Sequence, residues 1–184
     1  MVDVYEECPS YQKTRVSFKQ THEEDAADLL LCYSDLKAVP LFNSDNCNGD
    51  NFHYDTIEKM KKTISFWNDS YILKCFVRWT LTTNETDEKM GTVEMFHRTA
   101  DDEFDHYGLL RIDLRSKYEA QPVINEILDI VEENFFELFN VDAILTKSIA
   151  HASERITSLL QKGYRPLNQK FVVYDDYYVK YKLS

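Results

Sequence analysis

The sequence predicts an α+β fold in which helices flank one mixed, mainly antiparallel central sheet. Three observations predict it. The length of 184 residues fits one domain at about 150 residues per domain. Three consecutive strand-like segments occupy the middle of the chain, and segments with helical periodicity lie on both sides of them. We therefore treat 1–184 as a single domain and 1–13 as an N-terminal extension.

The N-terminal third is predicted to contain one strand and two helices. Val16 and Phe18 alternate with polar neighbours in a strand over 14–20. Thr21 and Glu24 have the spacing of a capping box, with Thr21 as the N-cap of a helix that ends near residue 33. The second helix runs from about Tyr54 to Trp67, with apolar residues at spacings of three and four.

The middle of the chain is predicted to form an antiparallel meander. Residues 43–51 are rich in Asn, Asp and Gly, which favour turns, and are expected to form a polar loop. The segments Tyr71–Thr82, Lys89–Arg98 and Tyr107–Leu114 are rich in β-branched and aromatic residues and are separated by polar turns. Consecutive strands joined by short turns pair with one another in most sheets.

The C-terminal part alternates between helix and strand. Pro122–Phe139 carries a wide apolar stripe with helical period, and Pro122 suits a first helical position. Val141–Lys147 is expected to be a short buried strand. A helix over Ser153–Lys162 is predicted to end with Gly163 at C′. The aromatic, alternating segment Lys170–Leu183 predicts terminal strands.

Charge and cysteine usage narrow the classes of function. The formal charge of −11 argues against a phosphate-backbone partner and so against nucleic acid, and it favours a cationic partner. No apolar run reaches the roughly 18 residues of a membrane span, so no membrane partner is expected. The four cysteines lack CxxC spacing and the chain starts without a signal peptide, which predicts reduced thiols and a cytoplasmic location. The dispersed histidines predict no metal site.

Two segments resemble the GCN5-related N-acetyltransferase (GNAT) superfamily, most closely the branch of ribosomal-protein N-acetyltransferases. Ile112–Leu128 is similar to the family's strand, pyrophosphate loop and helix. Leu145–Pro166 is similar to its next strand, helix and closing L-L-x-K-G-[FY]-R-P pattern. The resemblance implies a GNAT-like sheet and an acetyltransferase that moves an acetyl group from acetyl-CoA, as co-substrate, to a primary amine. The acceptor is a protein N-terminus or a small molecule, and a homodimer is left open.

The resemblance also implies where acetyl-CoA would bind. Its pantetheine arm would run beside the backbone of Ile112, Asp113 and Leu114. Its pyrophosphate would meet a helix N-terminus, where unpaired N–H groups and the helix dipole favour anions. The residues implied there are Ala120, Gln121, Val123 and Ile124.

The loop departs from the family pattern in ways that leave a second function open. The family's R-G-x-G-[IY]-[GA] is replaced here by residues 119–124. Pro122 removes an amide donor, Ile124 adds bulk, and Glu119 brings a negative charge where a basic residue is usual. The alternative to acetyl transfer is therefore a catalytically degenerate GNAT-fold protein that binds a ligand or a partner.

Acetyl transfer to an amine needs a base for an ammonium proton and an acid for the leaving thiolate. Glu94, in the middle strand of the meander, is the predicted base. Tyr164, directly after Gly163, is the predicted acid.

Overall fold

The computed structural model describes residues 3–182, and its eight strands form one sheet in the order β1-β2-β3-β4-β5-β6-β8-β7. Strands pair antiparallel except for β5 and β6, which are parallel. The mixed, mainly antiparallel sheet flanked by helices confirms the predicted fold class. The strands are β1 Tyr11–Gln12, β2 Val16–Gln20, β3 Val77–Thr83, β4 Lys89–His97, β5 Tyr107–Leu114, β6 Ala143–Lys147, β7 Arg165–Pro166 and β8 Tyr177–Tyr181.

Four α-helices cover the two faces of this sheet. They are α1 Ala26–Tyr33, α2 Ile57–Ile72, α3 Gln121–Leu138 and α4 Ser153–Gln161. The apolar stripe of α3 packs with one face of β2–β5 in the largest core cluster. Helices α1 and α2 form a second cluster on the other side of the meander.

Alternation along β3 shows how the two faces differ. Val77, Trp79 and Leu81 point into the α3-side core. Successive side chains of a strand point to opposite faces, so Arg78 and Thr80 point towards α1 and α2. All five side chains are buried. The α1–α2 face of the sheet is thus polar under a cover of helices, which is where the candidate site lies.

The start of the first helical segment differs from the prediction. The chain begins a 3-10 turn at Glu23, and the Asp25 carboxylate accepts a hydrogen bond from the His22 amide at 3.1 Å. Thr21 does not cap the helix. Its hydroxyl instead accepts a hydrogen bond from the Thr80 hydroxyl at 3.1 Å. The predicted Thr21–Glu24 capping box is therefore wrong, because a cross-strand partner takes the Thr21 side chain.

Two strand predictions also need correction. Tyr71 belongs to the last turn of α2, which continues to Ile72, and β3 begins only at Val77. Tyr71 is partly buried against the α3-side core, whereas Ile72 and Leu73, which also resemble strand residues, are exposed. In the terminal segment only β8 is a strand, and residues 170–176 form a loop closed by a bridge between Phe171 and Tyr174. Leu183 lies outside the described residues.

The start of α3 and the C-terminal end of α4 agree closely with the prediction. Pro122 lies in the first turn of α3, one residue after the helix begins at Gln121. Gly163 has a φ of +79°, which a residue with a Cβ adopts only at a cost. The next amide, of Tyr164, donates to the Leu159 carbonyl at 2.9 Å and closes α4.

Candidate functional site

Three charged side chains form a row across the middle of the meander. Arg78 of β3 pairs in register with Glu94 of β4, and Glu94 pairs with Arg111 of β5. The row lies on the α1–α2 face. The two oxygens of Glu94 each accept a hydrogen bond from one of the guanidinium groups. All three residues are buried, and the single carboxylate offsets only part of the charge of the two guanidinium groups.

A second buried polar group extends this row. The Tyr33 hydroxyl donates to the Asp113 carboxylate at 2.8 Å and lies 2.7 Å from the Thr92 hydroxyl. The Arg78 guanidinium donates to the Tyr33 hydroxyl at 2.9 Å and also contacts Asp113 at 3.2 Å. The end of α1 is therefore tied to β3, β4 and β5 through one hydrogen-bonded network.

The two carboxyl groups of the network respond to burial in opposite ways. Burial by itself would raise the pKa of the Glu94 carboxyl. The two guanidinium groups have the larger and opposite effect, so this pKa lies below its usual value. Burial also raises the pKa of Asp113, and the single contact with Arg78 does not offset it, so this pKa lies above its usual value. Glu94 is held as a carboxylate, whereas ionised Asp113 is destabilised.

The row forms the floor of a cavity of about 640 Å³ between α2, the loop after α1 and strands β3–β5. Its walls are largely aromatic, from Phe52, Tyr54, Phe66, Trp67, Phe76 and Phe96. Lys59, Lys62 and Asp50 add charges to the lining. Ligand sites in proteins commonly have this volume and this combination of apolar walls with a few polar groups. We call this cavity the α2 pocket.

The polar loop over 43–51 closes one side of the α2 pocket and is fixed to the sheet. The Asp45 carboxylate accepts from Lys147 Nζ at 2.7 Å and from the Tyr177 hydroxyl at 3.1 Å. The Asp45 carbonyl accepts from Arg111 at 3.1 Å. Asn46 and Asn48 have positive φ, which Asn tolerates better than most residues. The loop is thus part of the pocket wall.

The residues predicted to hold pyrophosphate already use their amides within the chain. The Gln121 amide donates to the Glu154 carboxylate at 3.3 Å. The Val123 and Ile124 amides both donate to the Ala120 carbonyl, at 3.1 and 3.0 Å. Pro122 has no amide proton. In the preceding turn, the amides of Tyr118, Glu119 and Ala120 donate to loop carbonyls, and that of Ser116 donates to the Asp35 carboxylate at 2.9 Å.

Glu119, which departs from the family pattern, pairs with Arg155 of α4. Glu119 and Arg155 form a two-pronged ion pair at 2.7 and 2.8 Å, and both side chains are buried. Arg155 also donates to the Leu41 carbonyl at 3.1 Å. The pair therefore joins the start of α3, the start of α4 and the segment after α1.

We expect this pair to couple strongly in a double-mutant cycle. Removal of either partner leaves a buried charge, so Glu119→Gln and Arg155→Gln should be non-additive by about 1–3 kcal/mol in the free energy of unfolding. Urea unfolding of the two single variants and the double variant measures this. The exposed pair Lys13–Glu133 is the control, and its coupling should be small. Equal couplings for the two pairs would contradict the role assigned to Glu119 and Arg155.

The strand predicted to run beside pantetheine does separate from its neighbour. Pairing of β5 with β6 ends at Leu110 and Thr146, whereas β5 continues to Leu114. Ile112 and Leu114 are buried in the α3-side core, and the Asp113 side chain belongs to the Tyr33 network. Ile112, Asp113 and Leu114 therefore lie beyond the paired part of β5 and β6, and their contact with pantetheine stays a prediction.

The start of α3 does not fit a bound pyrophosphate. An anion needs free N–H donors and a positive end of the helix dipole. Here the first amide is taken by Glu154, the second is absent at Pro122, and the third is taken by a carbonyl. Glu154 adds negative charge at the same place, whereas the charge of Glu119 is balanced by Arg155. The α2 pocket, and not this loop, offers room and buried polar groups to a ligand.

The two predicted catalytic residues lie in different parts of the fold. Glu94 lines the α2 pocket, whereas Tyr164 is buried in the α3-side core. Burial raises the pKa of the Tyr164 hydroxyl, which makes it a weaker acid. The lowered pKa of Glu94 makes it a weak proton acceptor. The geometry therefore favours an electrostatic role for Glu94 and a packing role for Tyr164.

Most of the residues that build the α2 pocket were not identified from the sequence. No role was assigned from the sequence to Arg78, to Arg111 or to the aromatic residues of α2 that line the pocket. One signal was present, because Arg78, Glu94 and Arg111 are charged residues with apolar neighbours on both sides in segments predicted to be buried strands. A charged residue inside a buried strand is almost always paired. Their common register was not derivable without the strand alignment.

Within residues 3–182, no helix combines the length and the apolar character needed to cross a membrane. The same range contains no group of three or more His, Cys, Asp or Glu side chains placed to hold a metal ion.

Comparison with solved structures places the fold among GNAT acetyltransferases. The ribosomal-protein-S5-alanine acetyltransferase of Vibrio fischeri superposes with a TM-score of 0.71 at 14% identity, covering 95% of this chain and 97% of that chain. A GNAT-family acetyltransferase of Bacillus anthracis gives 0.69 at 11% identity, covering 95% and 99%. The ribosomal L7/L12 α-N-protein acetyltransferase RimL, solved with coenzyme A, gives 0.67 at 8% identity, covering 94% and 98%.

No protein-family model and no curated protein matches the sequence. At these identities the likeness shows the GNAT fold, as the two segments predicted. Acetyl transfer is the activity of the similar structures. What this chain does has to be argued from its own site.

Proposed function

We propose that this chain is a GNAT-fold protein that binds a small organic molecule in the α2 pocket. The observation that carries the proposal is the buried row of Arg78, Glu94 and Arg111 at the floor of an aromatic cavity. Three buried charges are costly to a fold, and a hydrophobic replacement would often be at least as stable. Their position at the base of a cavity of ligand size indicates a role in ligand binding.

The loop at the start of α3 supports binding without a coenzyme A site of the family type. Its donors are engaged by carboxylates and carbonyls of the chain, and the Glu119–Arg155 pair joins the elements around it. The predicted alternative, a catalytically degenerate member of the fold, therefore becomes the leading proposal.

A screen with a pocket-filling variant tests this proposal. Thr63 lines the α2 pocket from α2 and is partly exposed, so Thr63→Trp should fill the cavity without disturbing the core. Ser65→Trp places the same side chain on an exposed position of α2 away from the pocket and is the matched control. Aromatic fragments that raise the melting temperature of the wild type should fail to do so for Thr63→Trp.

The same fragments should still raise the melting temperature of Ser65→Trp, because a ligand of the native state stabilises it by mass action. Fragments that stabilise Thr63→Trp as well as the wild type would place binding elsewhere and contradict the proposal.

Acetyl transfer from acetyl-CoA to a primary amine, at a protein N-terminus or on a small molecule, is the second candidate. It is favoured by the fold and by the separation of β5 from β6 beyond Leu110. Mass spectrometry of amines and N-terminal peptides incubated with acetyl-CoA tests it. We expect no acetylation above the reaction without protein. Turnover would establish this candidate in place of the first.

A further inference from the structure

The α2 pocket carries the opposite charge to the rest of the protein. The chain has a formal charge of −11. The pocket lining contains four cationic side chains, Lys59, Lys62, Arg78 and Arg111, against the carboxylates of Asp50 and Glu94. Glu94 is shared by two of these cations. Lys62 has no ion-pair partner among residues 3–182, so the lining carries an excess of positive charge.

The floor of the pocket also contains donors without acceptors. The Nε atoms of Arg78 and Arg111 are buried and have no hydrogen-bond partner within the described part of the chain. A buried donor without an acceptor costs free energy, and a charged donor costs more. These Nε atoms lie below the surface of the pocket, so the floor presents to a ligand the positive charge of two guanidinium groups that the single Glu94 carboxylate does not balance.

Cations of the protein already lie over most of the aromatic rings of the wall. The Arg78 guanidinium lies 4.0 Å from the centroid of the Trp67 ring and within 6 Å of the Phe52 and Phe76 rings. One face of each of these rings is therefore already occupied by a cation of the protein, and Lys59 and Arg111 lie in the same way over Tyr54 and Phe96. The remaining aromatic surface suits an apolar, planar ligand body.

We infer that the α2 pocket binds a small carboxylate with an aromatic or similarly flat apolar body, its carboxylate facing Arg78 and Arg111. This inference rests on the proposed binding function and names the ligand class. Guanidinium groups bind carboxylates through charge-assisted hydrogen bonds, which are stronger than neutral ones. The charge of the ligand is thus opposite to that of the cationic acceptor expected from the overall composition.

Three matched probes test the charge preference. Phenylacetate, phenylacetamide and phenethylamine share one apolar body and differ in charge. Of the two tryptophans, Trp67 lines the pocket and Trp79 stacks on Phe135 in the α3-side core. Saturable quenching of the Trp67 signal should report binding. We expect phenylacetate to bind at least about tenfold more tightly than the amide, and the amine to bind more weakly still.

The outcomes separate this inference from the proposal on which it rests. Equal or tighter binding of the amide or the amine would overturn the carboxylate inference and leave the pocket function standing. Absence of saturable binding by all three probes would overturn both.

Two lysines of α2 provide a matched pair of variants. Lys62 lines the pocket, whereas its neighbour Lys61 is also exposed but does not line it. Lys62→Gln should weaken phenylacetate binding about threefold or more, whereas Lys61→Gln should leave it unchanged. Arg111→Gln should weaken it about tenfold or more. Lys62→Gln decides the question even if Arg111→Gln fails to fold, and equal affinities of the two lysine variants would overturn the inference.

Discussion

Glu94→Gln is expected to destabilise the protein by about 3–5 kcal/mol at pH 7, since removal of one partner leaves buried charges uncompensated. Glutamine has nearly the shape of glutamate, so the packing of β4 changes little. The variant leaves two guanidinium groups, of Arg78 and Arg111, with one carboxylate fewer between them. Urea unfolding of wild type and variant measures the difference.

The loss should depend on pH in a defined direction. The pKa of Glu94 is lowered in the folded protein. Its contribution to the free energy of unfolding is therefore present at pH values above the ordinary Glu pKa and is lost as pH falls through the folded pKa. The gap between wild type and Glu94→Gln should therefore be largest near neutral pH and shrink below about pH 4.5. Asp113 has a raised pKa, so its contribution is present below the ordinary Asp pKa and is lost as pH rises through the folded pKa.

The control for this prediction is an exposed glutamate in an ion pair. Glu133 pairs with Lys13 at the surface, and Glu133→Gln should leave the unfolding midpoint almost unchanged. If Glu94→Gln were as stable as Glu133→Gln at pH 7, the row across β3, β4 and β5 would not have the energetic importance assigned to it.

Gly91→Ala should destabilise the protein by about 3 kcal/mol or more, because strain and overpacking add at this position. Gly91 has a φ of +150°, and a Cβ built there would lie 1.9 Å from the Asp113 carbonyl oxygen. Relief of this clash requires β4 and β5 to move apart beside the Tyr33 network. The melting temperature and the urea midpoint should both fall.

Gly49→Ala is the matched control for backbone conformation. Gly49 also has a positive φ, of +82°, but a Cβ there would have no atom within 4 Å. This variant should cost only about 1 kcal/mol, the price of the backbone conformation. Equal losses in the two variants would mean that the close approach of β4 and β5 at Gly91 contributes nothing beyond backbone strain.

Periodicity in the sequence predicted the architecture because most of the chain obeys simple patterns. The stripe of α3, the meander and the Gly163 end of α4 all follow local rules, and the structure confirms them. The errors occur where tertiary contacts override local preference. Thr21 resembles an N-cap until Thr80 is placed beside it, and Tyr71 resembles a strand residue until α2 is seen to extend through it.

The candidate site was harder to predict because it depends on register. Glu94 was singled out, but Arg78 and Arg111 become its partners only when three strands are aligned. The departure at Glu119 was visible in the sequence, but its partner Arg155 was not. The two residues pair across 36 positions, and no local pattern reveals this pairing.

The most direct test of this account is an amide spectrum of labelled protein while acetyl-CoA is raised to about 1 mM. The amides of Ser116, Gln121 and Val123 report on the predicted pyrophosphate loop. Since these donors are engaged within the chain, we expect their resonances to stay in place throughout the titration. Saturable shifts of these three resonances would show that the loop opens to take a pyrophosphate, and would contradict the claim that this chain has no coenzyme A site of the family type.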